Sequence, residues 1–336
     1  MPLLFVRDNI VHMKTDAIVN AADSSLRPGG GVCGSIFDRA GYDKMEKACQ
    51  KIGGCAVGNA VMTPGFSLPA KYVIHAVGPV WQGGSQNEEA QLRSCYIKSL
   101  NLAKKHWLKS IAFPLISSGS CGYPKEEALQ VAITAISSFL LKHDMTVYIV
   151  VYDEDSFCLS KKLAQRVERF IDDRYVQERS SYPHLQPLGM TGVAAYICPA
   201  PRQETSAPKS VPHRRLSDLL AQTEETFSQC LLRLIDERGK KDSEIYNRAN
   251  LDRRLFSKIR SNKNYKPTKQ TVLALCVALE LSLDETKDLL GKAGLALTHT
   301  SKFDIILEYF ISEGSYDIFE INAILFQFDQ PLLGSL

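Results

Sequence analysis

The residues of this chain best suited to chemistry fall in two short stretches. The first runs Asn20-Ala21-Ala22-Asp23-Ser24-Ser25-Leu26-Arg27-Pro28-Gly29-Gly30-Gly31-Val32-Cys33-Gly34. It gathers an amide, a carboxylate and a thiol around backbone that carries no side chains. The second, Ser117-Ser118-Gly119-Ser120-Cys121-Gly122-Tyr123-Pro124, gathers hydroxyls and another thiol. A glycine-rich turn between a strand and a helix exposes several N–H groups and the positive end of a helix dipole to one anion. Two such turns in one domain can clamp a diphosphate, whereas three glycines alone also suit an ordinary tight turn.

The elements needed to hold these turns are legible around them. Ala17-Ile18-Val19 is an apolar run that reads as a buried strand, and Gly34 to Ala40 reads as the helix after the first turn. Ile111 to Ile116 reads as the strand before the second turn, and Glu126 to Leu141 as the long helix after it. Leu3 to Val6, Val61-Met62, Tyr72 to Val77 and Val147 to Val151 complete a set of strands. Asp43 to Lys51, Asn87 to His106 and Ser156 to Ile171 complete the helices. Alternating strands and helices predict an α/β domain whose ligand sits beyond the carboxyl ends of the strands, where both turns and Tyr152 fall.

Composition sets the outer limits. The 336 residues are 45% hydrophobic and 23% charged, an ordinary soluble balance with room for two domains. A formal charge of +3 is too mild to declare a nucleic-acid protein, so any basic face must be local. The first apolar run is interrupted at Arg7-Asp8, and no apolar stretch is long enough to span a bilayer, so a cytoplasmic protein without membrane contact is expected. Nine cysteines with no C-x-x-C pair, and seven histidines without ligand spacing, predict reduced thiols, no metal site, and a structural role for His75 in its strand.

In order along the chain, Ala17-Ile18-Val19-Asn20-Ala21-Ala22, Gly29-Gly30-Gly31-Val32, Val73-Ile74-His75-Ala76-Val77-Gly78-Pro79 and Ser118 to Pro124 resemble the motifs of the macrodomains, which bind ADP-ribose. The resemblance covers roughly residues 1–172. It implies a three-layer α/β domain with a central mixed sheet and no cofactor, the ligand being ADP-ribose, a derivative of it, or an ADP-ribosylated protein. The ligand residues it implies are Asp8, Asn9 and Ile10 at the adenine, Asn20, Gly30, Gly31 and Val32 in the first turn, Ser117, Ser118, Gly119, Ser120, Cys121 and Gly122 in the second, and Tyr152 as the adenine-stacking aromatic. For Tyr152 the residue pattern alone leaves a core-covering aromatic equally open.

The branch resembling MacroD and O-acetyl-ADP-ribose deacetylases hydrolyses ADP-ribose esters with an Asn and an Asp near the distal ribose. Here those positions hold Asp23 and Cys33. Asp23 can serve as a substitute base. Cys33, at a helix N-terminus, reads either as a nucleophile with lowered pKa or as a small residue in a lapsed position. The resemblance therefore leaves hydrolysis and non-catalytic reading of ADP-ribose as alternatives. The adenine-contacting Asp aligns with Asn9, with Asp8 one place early, and the usual second-turn tyrosine is Cys121.

Residues 173–213, with Arg179-Ser180-Ser181-Tyr182-Pro183 and Pro199 to Pro208, lose periodicity and predict a flexible linker between independently moving domains. Residues 214–336 then carry helical patterns and almost no strand signal: Leu216 to Glu237, a short helix ending at Arg248, one capped by Asp252, one capped by Thr268, and Asp284 to Leu290. About residues 228–294 resemble the Cro/repressor helix-turn-helix, although the turn before Leu251 lacks a glycine. That resemblance implies that the helix after Asp252 would present Arg253, Arg254, Ser257 and Lys258 to DNA. A helical protein-interaction domain with a solvated basic face is the alternative. Phe303 to Phe310 and Ile318 to Phe328 would cap the bundle or dimerise it, and the sequence leaves the oligomeric state open.

Overall fold

The computed structural model describes residues 3–152, 161–180 and 225–334. Six strands, β1 (Leu3–Arg7), β2 (Ala17–Ala22), β3 (Ala60–Pro64), β4 (Tyr72–Val77), β5 (Ser110–Phe113) and β6 (Thr146–Val151), form one sheet in the order β1-β6-β5-β2-β4-β3. Neighbours run parallel except β3, which is antiparallel to β4. Helices α1 (Gly31–Ala40) and α2 (Tyr42–Ile52) follow β2, α3 (Glu88–Lys105) follows β4, α4 (Lys125–Leu140) follows β5 and α5 (Lys161–Ser180) follows β6.

Successive strand residues point to opposite faces, and the sequence supplies apolar residues for both. Ala17, Val19, Ile74, Ala76, Ile111, Phe113, Val147 and Ile149 pack with α3, α4 and α5. Ile18, Val73, Val77, Ala112 and Val150 pack with Ile36 and Phe37 of α1 and Met45 and Cys49 of α2. The result is three layers with a mixed central sheet. Helix α5 runs on to Ser180, into the segment expected to be linker, while residues 156–160 of the predicted last helix and 181–224 lie outside the described residues.

The C-terminal half is helical: α6 (Phe227–Glu237), α7 (Asp242–Arg248), α8 (Arg253–Ser261), α9 (Lys269–Ala278), α10 (Leu283–Lys292), α11 (Lys302–Ser312) and α12 (Ile318–Gln327). Asp252 and Thr268 cap α8 and α9 as their side chains predict. The turn between α7 and α8 solves its missing glycine with Asn250, which adopts a left-handed φ of 54°, a conformation asparagine tolerates better than most residues.

The two halves touch among the described residues. One hydrophobic cluster continues from the sheet into the bundle. Phe5 of β1 meets Phe326 of α12 with ring centroids 5.7 Å apart, and Phe170 of α5 meets Tyr309 of α11 at 5.2 Å. The tail helices therefore cap the bundle against its own N-terminal half. Strand β1 is the open edge of the sheet, and an unpaired edge leaves backbone polar groups without partners. Asn250 closes it: its Oδ1 accepts from Leu3 N–H at 2.8 Å and its Nδ2 donates to Leu3 C=O at 3.1 Å, both buried. At the other end of β1, Arg7 lies 5.0 Å from the Phe326 ring centroid and pairs with Asp329 at 2.5 Å. Among the described residues no helix is long and apolar enough to cross a membrane.

Replacing Asn250 with alanine strips both partners from a buried edge. The expected loss is about 1–3 kcal/mol per unsatisfied group in denaturant unfolding, with both halves unfolding in one transition. Separate transitions, or an unchanged midpoint, would mean that the edge contact is not what joins them.

Candidate functional site

Strands β2 and β5 are parallel neighbours, with Ala17 opposite Ile111 and Ile18 opposite Ala112, so their carboxyl ends release the two glycine loops side by side. In the first loop Leu26 N–H donates to Asp23 C=O at 3.1 Å, closing a turn. The Asp23 carboxylate accepts from Ser25 Oγ at 3.0 Å and from Arg27 N–H at 3.1 Å. It is exposed but already engaged in shaping the loop. Helix α1 starts at Gly31, earlier than the sequence pattern predicted, behind Gly30 as an N-cap with no side-chain bond. Its first N–H groups thus have no capping side chain and point out of a turn built from glycine. Gly31 needs its φ of 59°, and a Cβ on Gly34 would lie 2.7 Å from Gly29 C=O.

Strand β5 stops at Phe113, short of the predicted Ile116, because Pro114 has no N–H for the ladder. The second loop then crosses the end of β2 toward β4. Ser117, at a left-handed φ of 65°, abuts Gly78 just past β4. Trp81 N–H donates to Cys121 C=O at 2.9 Å, and its ring packs on buried Tyr123 with centroids 4.5 Å apart. Ser117 C=O accepts from Tyr123 N–H at 3.0 Å, and Ser118 Oγ donates to Leu115 C=O at 2.9 Å. Ser117 Oγ is buried with no hydrogen-bond partner. Gly119, Ser120 and Gly122 are exposed along the rim.

Beneath the first loop sits a polar chain. Asn20, fully buried, donates from Nδ2 to Cys33 Sγ at 3.5 Å and contacts His75 Nδ1 at 3.1 Å. Its Oδ1 is buried and unpartnered. Cys33, in the first turn of α1, donates its thiol to Arg27 C=O at 3.8 Å. Burial pushes the His75 pKa down to about 4, so its ring is neutral near pH 7.

The ends of β1 and β6 form the third wall. Asp8 N–H donates to Val151 C=O at 3.2 Å, which sets Asp8 beside Tyr152. The Tyr152 ring is 75% exposed, ready to take a flat partner and not covering the core. The Asp8 carboxylate pairs with His12 Nδ1 at 3.1 Å and accepts from Asn9 N–H at 2.6 Å, which together hold its pKa low. Asn9 itself is spent on structure: its Oδ1 accepts from Val11 N–H at 3.2 Å and caps the 3-10 turn Ile10–His12, of which Ile10 is buried.

The structure thus brings Asp8, Asn20, both glycine loops and Tyr152 to one edge of the sheet. It does not bring Arg253, Arg254, Ser257 and Lys258 there. They are exposed on α8, which follows Asn250 and so begins near the Leu3 end of β1. Among the described residues no cluster of His, Cys, Asp and Glu could hold a metal ion.

A profile of the family described as Macro domain matches residues 19–132. A macro domain-containing protein of Methanosarcina mazei is 48% identical over 161 residues, covering 47% of this chain and 86% of the relative. The chain belongs to the macro domain family. A protein of Escherichia fergusonii named O-acetyl-ADP-ribose deacetylase is 44% identical over 164 residues, 47% of this chain and 92% of its own. The Oceanobacillus iheyensis macrodomain solved with ADP is 36% identical, covering 52% of this chain and 91% of that chain with a TM-score of 0.45.

Two supports of this macro domain escaped the reading of its sequence. Glu88 opens α3, and its carboxylate accepts from the N–H groups of Gln82 at 3.1 Å, Gly84 at 3.1 Å and Gln86 at 2.5 Å, which fastens the loop that carries Trp81. Gly78 was legible only as part of a motif, yet it makes room for the second loop. A Cβ there would overlap Ser117 Oγ and lie 2.7 Å from Ile116 Cγ2, so Gly78→Ala is expected to cost about 1–3 kcal/mol in denaturant unfolding.

Burial pushes the Glu88 pKa up, but the amides of Glu88, Gln86, Gln82 and Gly84 outweigh it and hold it below the usual value. The stability this group contributes is therefore present above its unfolded pKa and lost as pH falls through the lower folded one. Thermal melts between pH 7 and pH 3 should show a shallower acid limb for Glu88→Gln than for wild type, and parallel limbs would discount the clamp.

Proposed function

We propose that the N-terminal half binds ADP-ribose, free or on a modified protein. The observation that carries this reading is the convergence at one sheet edge of two glycine loops, the uncapped N-terminus of α1 and the exposed ring of Tyr152 beside Asp8. In this reading the loop amides take the diphosphate, Tyr152 stacks on the adenine and Asp8 accepts from its amine. Calorimetric titration of the full chain with ADP-ribose should show one-to-one binding. Tyr152→Ala should weaken it about tenfold or more, since base–aromatic stacking contributes about 1–3 kcal/mol.

Hydrolysis of an ADP-ribosyl ester is the second reading. It is supported by the exposed Asp23 carboxylate on the first loop and by relatives named O-acetyl-ADP-ribose deacetylase. Against a fast reaction stand the bonds that Asp23 already makes to Ser25 and Arg27, and the thiol at position 33, a poor general base when neutral. Cys33→Asp should then hydrolyse O-acetyl-ADP-ribose faster than wild type, and Asp23→Ala slower. Equal rates in all three proteins would reduce the site to a reader of ADP-ribose.

For the C-terminal half the reading is a DNA contact through α8. Its exposed Arg253, Arg254 and Lys258 have no acidic partner among the described residues, whereas Arg238, Arg248 and Arg260 nearby are paired with Glu285, Glu280 and Asp242. Binding to duplex DNA should weaken with salt, and Lys258→Ala should reduce the slope of log affinity against log salt by about one. Salt-independent binding would contradict it.

A further inference from the structure

His75 lies opposite Asn20 in the β2–β4 register, deep under the first loop. Its Nε2 is 2.9 Å from Thr63 Oγ1 and its Nδ1 3.1 Å from Asn20 Nδ2. The Thr63 hydroxyl is directed at Met45 Sδ, 3.3 Å away, which leaves its lone pairs to face the ring. With Asn20 Nδ2 facing Nδ1, the lone pair of Nδ1 is the acceptor and Nε2 carries the proton, with Thr63 Oγ1 and the Cys49 Sγ, 3.8 Å away, around it. That acceptor takes one hydrogen of the Asn20 amide, and the same nitrogen reaches Cys33 Sγ at 3.5 Å. Flipping the amide would set Oδ1 against the Nδ1 lone pair, two acceptors face to face. One buried imidazole thus decides which end of Asn20 meets the thiol and which end stays unpartnered.

We propose that His75 is a positioning residue of the site: through Asn20 it fixes both the N–H offered to the Cys33 thiol and the unpartnered Oδ1 buried within β2. The relay serves the site read above as an ADP-ribose cleft: an N–H donated to sulfur stabilises negative charge that develops there.

The test reads Cys33 directly. Alkylation of the folded full chain by iodoacetamide at pH 8 is followed on the peptide that contains Cys33, with thermal melts as the check on folding. His75→Leu removes the Nδ1 acceptor and frees the amide to turn its oxygen to the sulfur, so Cys33 should react about tenfold more slowly, as the loss of a hydrogen bond to a charged group predicts. His75→Asn keeps an oxygen at the level of Nδ1 and should react near the wild-type rate. Thr63→Val removes the nearer acceptor of Nε2–H and leaves the Cys49 sulfur at 3.8 Å, which favours the ring proton on Nδ1 and a turned amide, and should slow Cys33 in the same direction without truncating the core. A packing role alone gives the opposite sign, because a loosened core exposes the thiol and speeds alkylation. Unchanged or faster reaction in His75→Leu or Thr63→Val overturns the proposal. The measurement needs no ligand, so failure of the wild type to bind ADP-ribose in calorimetry would remove that reading of the cleft and leave the relay standing.

Discussion

The macro domain half depends on the placement of β2. Flanked by β5 and β4 and covered by helices on both faces, it has no freedom to move along its axis without breaking two parallel ladders. Its carboxyl end is therefore a fixed point, and the first loop, the start of α1 and the crossing of the second loop are all referred to it. This is why small residues gather there. Gly34 lets the helix sit on the loop, and Gly78 lets Ser117 pass over the strand end. Side chains at these positions would push the two loops apart.

Burial of polar groups at that point is tolerated because most are answered from within. The His75 ring is satisfied on both nitrogens, by Thr63 and by Asn20. Two buried atoms are not answered, Asn20 Oδ1 and Ser117 Oγ, and both belong to the loops' own strands or their first residues. A folded protein keeps few such atoms.

Strand alternation and turn residues made every strand of the N-terminal half legible, and in the C-terminal half the helix caps at Asp252 and Thr268. The misses share a cause. Helix α1 was expected to start at Gly34 and starts at Gly31, because the glycine turn that precedes it already turns into the helix. Strand β5 was drawn too long because apolar residues continue past a proline whose missing N–H ends the ladder. Asn250 carried no signal at all. Its two tasks, a left-handed turn that asparagine can supply and a cap on Leu3, need a partner 247 residues away. The basic count around α8 was likewise misleading in part, because Glu280 and Glu285, distant in sequence, neutralise Arg248 and Arg238.

The edge contact changes what the fusion can do. A linker alone would let the helical half sample many orientations, and ligand at the macro domain would then be felt only through proximity. Here β1 touches the bundle at both ends, through Leu3 and Asn250 at one and through Arg7 with Phe326 and Asp329 at the other. Arg7 directly precedes Asp8, the carboxylate beside Tyr152. The end of β1 and the packing of α12 therefore share residues, since Phe5 and Arg7 both lie against Phe326.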